Sequence, residues 1–201
     1  MANVRTYPGS LHNHTQYSNA RLRDCIIKET DLLNYALELG HEVVAITDRE
    51  SVMNAVKVEK AYKKIKEKNP DFKVIFGNEI YLCRNGLNSE NFVAGQDKYY
   101  HFILLAKDAI GHQQIREIST RAWMRSYMAR GMRRVPTYYQ DIIDVIGANR
   151  GHVIGCTACL GGALATQLLK YRETKSEELY GKIQQWCDQM EWIFGADNFY
   201  L

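Results

Sequence analysis

Two histidines near the start of the chain have a spacing that suits metal binding. His12 and His14 lie two residues apart in the segment 8–14, which is predicted as a first β-strand. Because side chains alternate along a strand, both imidazoles are expected on the same side. Two neutral imidazole nitrogens on one face can bind a single cation. A pair of surface histidines on an edge strand is the competing interpretation.

Acidic residues follow two later predicted strands, which strengthens the metal interpretation. The strand 42–47 runs into Asp48, and the strand 73–77 runs into Glu79. In parallel α/β folds, ligands bind at the edge where the carboxyl ends of the strands meet. Each acid alone suggests a helix cap or a surface charge, whereas their joint placement with two histidines predicts a cation site. We take Asp48 as the candidate catalytic carboxylate of this site.

Strand and helix patterns alternate along the chain, which predicts a parallel α/β architecture. The predicted strands are 8–14, 42–47, 73–77, 101–106, 152–156 and 198–201, and the predicted helices are 30–39, 51–68, 109–128, 137–147, 162–171 and 176–194. A polar loop is predicted at 86–95. No glycine-rich nucleotide motif follows the first strand, so a barrel-like arrangement is favoured over a doubly wound sheet. The chain stops inside the last predicted strand, which is typical of a piece of a longer protein.

The composition is that of a globular protein. The 201 residues are 46% hydrophobic and 24% charged with three prolines, which excludes a mainly disordered chain. No apolar run approaches the roughly 18 residues of a membrane span, and the first ten residues do not resemble a signal peptide. We therefore expect one domain over residues 1–201, in the cytoplasm, with the five cysteines as free thiols.

A local cluster of arginines offers candidate ligands for substrate phosphates. The net charge of +3 is too small to argue for nucleic acid by itself, so the case rests on local density. Six arginines fall between positions 116 and 134, and they are Arg116, Arg121, Arg125, Arg130, Arg133 and Arg134. A solvated helix face is the competing interpretation. We take Arg116, Arg121 and Arg125 as candidate phosphate ligands, together with Arg49.

Six stretches of the sequence resemble the PHP (polymerase and histidinol phosphatase) domain. In chain order they are LHNHTQYSNARLRDC, AITDRES, GNEIYL, HFILLAKDAIGHQQIREIS, HVIGCTACLGG and NFYL. The combination is most similar to the version at the N-terminus of the bacterial replicative DNA polymerase III alpha subunit. The resemblance implies a distorted (β/α)7 barrel, C-terminally truncated in this chain and without the polymerase core. It also implies up to three metal ions at the mouth of the barrel, which hydrolyse phosphoesters in active relatives and support 3′–5′ exonuclease proofreading in some polymerases.

The resemblance further implies which residues bind the divalent ions. Six positions match the family's ligands, and they are His12, His14, Asp24, Glu79, His101 and Cys159. Their imidazole, carboxylate and thiolate donors suit zinc, manganese or iron. His101 fits poorly, because it opens a predicted strand rather than ending one, which suggests a misplaced strand boundary.

Arg49 departs from the family pattern. The family usually has Thr-Asp-His in its second motif, and this chain has Thr-Asp-Arg at 47–49. A guanidinium offers no lone pair and repels a nearby cation. We therefore expect Arg49 to turn toward solvent, a carboxylate such as Glu50 or a substrate phosphate. We also expect fewer than three bound ions and a weakened activity, since the family's last motif, Asp-x-His, lies beyond Leu201 as well.

Three functions are compatible with these residues. The first is a metal-dependent phosphoesterase or 3′–5′ exonuclease that acts on a primer 3′ end of DNA. The second is a non-catalytic module that supports the other domains or subunits of DNA polymerase III. The third is a free small-molecule phosphatase of the histidinol-phosphatase type, which ranks last because YSNARLRDC and LLAKDAIG are similar to the polymerase branch. None of the three involves a membrane.

Overall fold

The computed structural model describes residues 8–20, 23–83, 98–129 and 131–201. The strands in these residues are β1 Gly9–Ser10, β2 Val43–Ile46, β3 Lys73–Cys83, β4 Tyr99–Ala106, β5 Tyr127–Ala129, β6 Met132–Arg134, β7 Val153–Cys156 and β8 Phe199–Tyr200. The helices are α1 Glu29–Glu38, α2 Ala55–Lys66, α3 Ala109–Met124, α4 Tyr139–Ile142, α5 Ala163–Thr174 and α6 Glu177–Phe194. A 3₁₀ turn at Gln16–Ala20 precedes α1, and a π-helical turn at Ile143–Gly147 extends α4.

Six strands form one mixed sheet in the order β1-β2-β3-β4-β7-β8. β1, β2 and β3 pair in parallel, whereas β4 is antiparallel to both β3 and β7, and β7 is parallel to β8. The prediction of a parallel sheet is therefore wrong at β4. A parallel neighbour needs a crossover, usually helical, and no helix pattern lies between the third and fourth strands of the sequence. In the described residues β1 and β8 do not pair with each other, so the sheet is a curled half-barrel, consistent with the distorted (β/α) barrel that the resemblance implied.

Apolar side chains on the two faces of the sheet form separate clusters. The outward residues of β3 and β4 pack against α3, α4 and α6, and the fully buried members include Ile80, Leu82, Phe102, Leu104, Ile118 and Phe194. A second cluster joins β2 to α1 and α2 through Leu33, Val44, Ile46 and Val58. The inner face carries the small cluster of Ala45, Ile103 and Leu105. The helices therefore cover one face of the sheet. The inner face carries few apolar side chains, and its polar residues lie at the edge where β2 and the other parallel strands have their carboxyl ends.

Several predicted boundaries differ from the observed ones. The first strand is only two residues long, and the third continues to Cys83 instead of ending at Gly77. The helix predicted at 109–128 ends at Met124, and the chain then forms the β5–β6 hairpin, in which Tyr127 is paired with Arg134. The predicted polar loop at 86–95 lies outside the described residues. Among the helices of the described residues, none has the length and apolar character needed to cross a membrane.

Candidate metal centre

The histidine pair lies in the irregular segment that follows β1. The Thr47 amide donates to the carbonyl of Asn13 at 2.9 Å, and the Asn13 amide donates to Thr47 Oγ1 at 3.1 Å. These two bonds hold the segment against the end of β2. The rings of His12 and His14 then lie 4.7 Å apart, edge to face.

Hydroxyl contacts fix which nitrogen of each histidine carries the proton. Thr47 Oγ1 donates its hydrogen to a backbone carbonyl at 3.1 Å, so it accepts from His12 Nδ1, 3.2 Å away. Ser18 Oγ donates to the Asp48 carboxylate at 2.9 Å, so it accepts from His14 Nδ1 at 3.0 Å. Both Nε2 atoms therefore present lone pairs, and they lie 3.1 Å from each other. Hydrogen bonds of this kind, made by the ring nitrogen that faces away from the ion, orient metal-ligating histidines.

Asp48 lies beneath the histidine segment and is fully buried. Its Oδ1 accepts from the Thr15 amide at 2.5 Å and from the Ser18 hydroxyl. Its Oδ2 accepts from the Thr15 hydroxyl at 2.7 Å and from the Asn54 side-chain amide. Both oxygens are thus committed to holding the loop that carries the histidines. The catalytic role that the sequence suggested for Asp48 stays a prediction, and the contacts observed here are those of a side chain that holds the histidine segment in place.

Glu79 is the buried carboxylate at the centre of the site, on β3. Its Oε1 lies 2.9 Å from His101 Nδ1, and its Oε2 lies 3.2 Å from His14 Nε2. No hydrogen-bond partner for Oε2 exists in the described part of the chain. A buried carboxylate oxygen without a donor is costly unless a cation is nearby, and here the Arg49 guanidinium lies 3.6 Å away without forming a hydrogen bond. Glu79 therefore lacks the complete set of donors that satisfies Asp48.

The direction of β4 explains why His101 reaches the site from the start of a strand. The predicted boundary is nearly correct, since β4 begins at Tyr99. Because β4 runs antiparallel to β3, its first residues lie at the same edge as the carboxyl ends of the parallel strands. His101 is paired with Tyr81 in the ladder and therefore shares a face with Tyr81 and Glu79. The predicted start of β4 is therefore close to the observed one, and only its predicted direction is wrong.

Cys159 lies beside His101, in the turn between β7 and α5. Its Sγ is 3.4 Å from His101 Nδ1 and accepts from the Gly161 amide at 3.3 Å. The turn is tight, because a Cβ at Gly162 would lie 2.3 Å from the Thr157 carbonyl oxygen. This agrees with the structural role of a glycine pair in a strand-to-helix turn. The thiol is exposed and sits at the rim of the site.

Arg49 points into the site and not toward solvent or Glu50. Its Nη1 lies 2.6 Å from Asp24 Oδ1, and its Nε lies 3.6 Å from Glu79 Oε2. The side chain is only 18% exposed. The expected carboxylate partner is therefore present, but it is Asp24 together with Glu79. The chain turns away directly afterwards through Glu50, whose φ of 52° is left-handed.

The pKa values of the cluster suit cation binding at neutral pH. Burial lowers the pKa of His12 and of His14, and Glu79 opposes this shift while Arg49 adds to it. Burial raises the pKa of Glu79, but the hydrogen bond from His101 and the charges of the histidines outweigh it, so the net pKa is below its usual range. At neutral pH the two histidines are therefore neutral and Glu79 is ionised.

His12, His14 and Glu79 form a group that could hold one metal ion. The ligand atoms of His12, His14 and Glu79 lie within 4.8 Å of one another. Two facing Nε2 lone pairs and an unsatisfied carboxylate oxygen repel each other, so a cation among them would relieve the repulsion. The donor set therefore fits a divalent ion. Asp24 Oδ1 is engaged by Arg49 and His101 Nδ1 faces Glu79, and neither residue belongs to this group of converging ligand atoms.

The three arginines of α3 and its C-terminus do not converge on this centre. Arg121 pairs with Glu117 at 2.6 Å and with Asp144 at 3.2 Å. Arg125 contacts the Asp141 carboxylate through both of its terminal nitrogens, at 2.5 and 3.2 Å. The charges of these two residues are paired with carboxylates in the structure, and their phosphate-binding role stays a prediction.

Arg116 lies on the helical side of the sheet. It lines a groove of about 1070 Å³ between α2 and α3, together with Val56, Phe76 and Lys63. Large apolar pockets are the usual first hypothesis for a ligand site. Here the groove contains none of the histidines or carboxylates of the metal centre, so we place the chemistry at the centre. Arg130, also named in the sequence analysis, lies outside the described residues.

Sequence reasoning overlooked the residues that orient the ligands. Thr15, Ser18 and Thr47 supply hydroxyl contacts. The buried Asn78 amide donates to the carbonyls of Asp48 and Ser51 at 2.7 and 3.1 Å, which ties the end of β2 to β3. The available signal was adjacency, because each of these polar residues lies within a few positions of a chosen ligand or of Asp48.

Comparison with protein families matches residues 10–201 to the family described as the PHP domain. A DNA-directed DNA polymerase of Bacillus phage SPbeta is 34% identical over 94% of this chain and 15% of its own length. The DNA polymerase III alpha subunit of Aquifex aeolicus is 30% identical over 95% of this chain and 15% of its own length. The chain thus spans about 15% of the length of these curated relatives.

Among solved structures, an amidohydrolase from Chromobacterium violaceum aligns with this chain at a TM-score of 0.36 and 15% identity. The alignment covers 56% of this chain and 33% of that one. This likeness is too partial to support a statement about function. The comparison therefore depends on the relatives found by sequence.

Proposed function

This chain belongs to the PHP domain family, and from that premise we propose that it forms a metal-dependent phosphoesterase site that acts on the 3′ end of DNA. The site would belong to a polymerase of the DNA polymerase III alpha type, whose other domains or subunits are its partners. The observation that carries the proposal is the convergence of three lone-pair donors from His12, His14 and Glu79.

The chain's own residues divide the work of such a site. His12 Nε2, His14 Nε2 and Glu79 Oε2 would hold the ion, for which manganese, zinc and iron suit the mixed nitrogen and oxygen donors. When bound, a divalent ion supplies a Lewis acid for the phosphoryl oxygen and lowers the pKa of a water molecule. Thr47 and Ser18 keep both imidazoles in the tautomer that leaves Nε2 unprotonated.

His101 and Arg49 would set the charge around the reacting phosphate. His101 donates to Glu79 Oε1 and so fixes the orientation of that carboxylate. Arg49 carries a permanent charge beside Glu79 and Asp24, which favours an anionic phosphate and disfavours a further cation. We therefore propose one tightly bound ion and a hydrolytic rate below that of relatives with histidine at this position.

The proposal is tested on the purified chain by two measurements. Elemental analysis after incubation with manganese or zinc should find about one ion per chain. Hydrolysis of a 3′-labelled single-stranded oligonucleotide should depend on that ion. His14→Gln should abolish both the bound metal and the hydrolysis, because one of the three ligand atoms is lost. His112→Gln, which removes an imidazole on the helical side, is the matched control and should alter neither.

A non-catalytic module is the second candidate, and the Arg49–Asp24 pair favours it. The guanidinium engages an acid that the resemblance assigns to a metal ion, so the site would hold too few ions for hydrolysis. One bound ion without any cleavage of the oligonucleotide would select this alternative. Absence of bound metal in the wild-type chain would reject the proposed phosphoesterase site. A free small-molecule phosphatase ranks below both, because the relatives compared above are polymerases.

A further inference from the structure

The inner face of the sheet continues beyond the metal centre into an aromatic and basic strip. On β4, Tyr99 lies two residues before His101, so the two side chains share a face. The strand rise of about 3.3 Å per residue puts them roughly 7 Å apart along the strand. The side chain of Tyr99 in turn contacts the β5–β6 hairpin, where the Tyr127 hydroxyl is hydrogen-bonded to the Tyr99 hydroxyl.

Arg134 completes this strip from the hairpin. It is paired with Tyr127 in the β5–β6 ladder, so both side chains lie on one face of the hairpin. Its guanidinium carbon is 5.8 Å from the centroid of the Tyr99 ring. In the ranges that the structure describes, no carboxylate forms an ion pair with Arg134, in contrast to Arg121 and Arg125.

We infer that Tyr99, Tyr127 and Arg134 form a subsite for the nucleotide adjacent to the one that is cleaved, with Arg134 binding its phosphate. This inference rests on the proposed function, since it names a specificity determinant of the same site. The separation of Tyr99 from His101 is on the scale of the spacing between successive phosphates of a single strand. Aromatic rings beside a positive charge are the usual means of binding single-stranded nucleic acid. A phosphomonoester has no second phosphate and would gain nothing from the strip.

The adjacent arginine supplies a matched control. Arg133 occupies the same hairpin strand, but it faces the other side, where it donates to Ser126 Oγ at 3.1 Å and lies over the Trp123 ring. Arg133→Gln and Arg134→Gln therefore make the same change in charge, one position apart, on opposite faces.

The test measures binding of a fluorescent dodecathymidylate by anisotropy in EDTA, which prevents cleavage, across a series of salt concentrations. Arg134→Gln should weaken binding about three- to tenfold and reduce the slope of log K against log salt by about 0.7, the loss of one phosphate contact on a single strand. Arg133→Gln should leave the slope unchanged. Arg134→Lys retains the charge and should restore the wild-type slope.

Three results would overturn the subsite: no binding by the wild-type chain, equal slopes for the wild-type and Arg134→Gln chains, or equal losses for the Gln and Lys variants, which would indicate a structural role. A second measurement separates the subsite from the proposed function. Hydrolysis of bis(p-nitrophenyl) phosphate, which has one phosphate, should be unaffected by Arg134→Gln. If the wild-type chain hydrolyses nothing but the anisotropy results hold, the phosphoesterase proposal fails, and what stands is a single-strand binding strip of Tyr99, Tyr127 and Arg134 without a cleavage site beside it.

Discussion

Two buried carboxylates lie at the ends of neighbouring strands, and their surroundings differ. Asp48 follows β2 and receives hydrogen bonds on both oxygens from neutral groups of the polypeptide. Glu79 lies on β3, where one oxygen meets His101 and the other has no donor within the described residues. Both oxygens of Asp48 therefore have hydrogen-bond donors within the protein, whereas one oxygen of Glu79 has none within the described residues.

This difference shows how one edge of a sheet separates support from chemistry. The groups around Asp48 are hydroxyls and amides, which donate hydrogen bonds but bear no charge. The groups around Glu79 are imidazoles and a guanidinium, which respond to charge. A buried acid surrounded by neutral donors stabilises the fold, whereas a buried acid that lacks donors creates a demand for a cation. Substitutions at the two positions should therefore affect different quantities.

The largest effect on stability is expected at Asp48. Asp48→Asn replaces an acceptor oxygen by a donor and leaves buried groups such as the Thr15 amide without a partner. We expect the free energy of unfolding to fall by about 2–4 kcal/mol, because each unsatisfied buried group costs roughly 1–3 kcal/mol. Urea unfolding of the metal-free protein measures this. The exposed Asp188→Asn serves as control, and a loss below about 0.5 kcal/mol at Asp48 would remove its supporting role.

Glu79→Gln should show the opposite profile. Removing a ligand charge is expected to weaken manganese binding by about 100-fold or more, equivalent to about 2.7 kcal/mol, since changes in the second shell alone cost 10–100-fold. The unfolding free energy of the metal-free protein should change by less than about 1 kcal/mol, because the amide oxygen still accepts from His101. Calorimetric titration and urea unfolding measure the two quantities. A variant that unfolds easily but binds metal normally would erase the contrast with Asp48.

Arg49→His changes the charge beside Glu79 and leaves both buried carboxylates in place. The substitution removes a fixed charge, frees Asp24 and adds a nitrogen donor, so the protein should bind a further ion with roughly tenfold or greater gain in affinity. Elemental analysis after dialysis measures the number of ions. The neighbouring exposed Arg23→His makes the same exchange outside the ion pair and should not change that number. An unchanged metal content in Arg49→His would show that the guanidinium does not limit ion binding.

The smallest effect is expected from mild acidification. Burial lowers the pKa of His12 and His14 below the usual 6.5, so the neutral form of both predominates down to that pH. Manganese affinity should therefore change less than about threefold between pH 7.5 and 6.5. It should fall below pH 6, as protons compete for the Nε2 atoms. A tenfold loss within the upper range would mean that the histidines protonate at or above their ordinary pKa.

Much of the fold could be predicted from local patterns, because these report burial along each element. The apolar run of β2, Val43–Ile46, was predicted to within one residue at each end, and α6, Glu177–Phe194, to within one residue at its start. The direction of β4 was not predicted, since a strand has the same alternation in either direction. Only the lack of a helix pattern before it carried that information.

The candidate site was predictable in its members and not in their roles. His12, His14 and Glu79 are recognisable from type and position, whereas His101 was assigned only by the family resemblance. Asp48 could not be separated from Glu79, because both are acids that follow a buried apolar run. What distinguishes them is the identity of their neighbours, and those neighbours, such as Thr15 for Asp48, come from distant parts of the chain. The partner of Arg49 is hidden from sequence for the same reason.

The reversal of β4 has a consequence for the order in which the centre assembles during folding. β3 and β4 form an antiparallel ladder of seven paired residues that already brings Glu79 beside His101. The segment with His12 and His14 must close a longer loop and pair through a strand of only two residues. We expect the amides of Ile80 and Leu82 to exchange with deuterium last and those around His14 much earlier, as read by native-state hydrogen exchange. Glu79 and His101 would then stay in place on the β3–β4 ladder, while the segment with His12 and His14 detaches and returns through local unfolding.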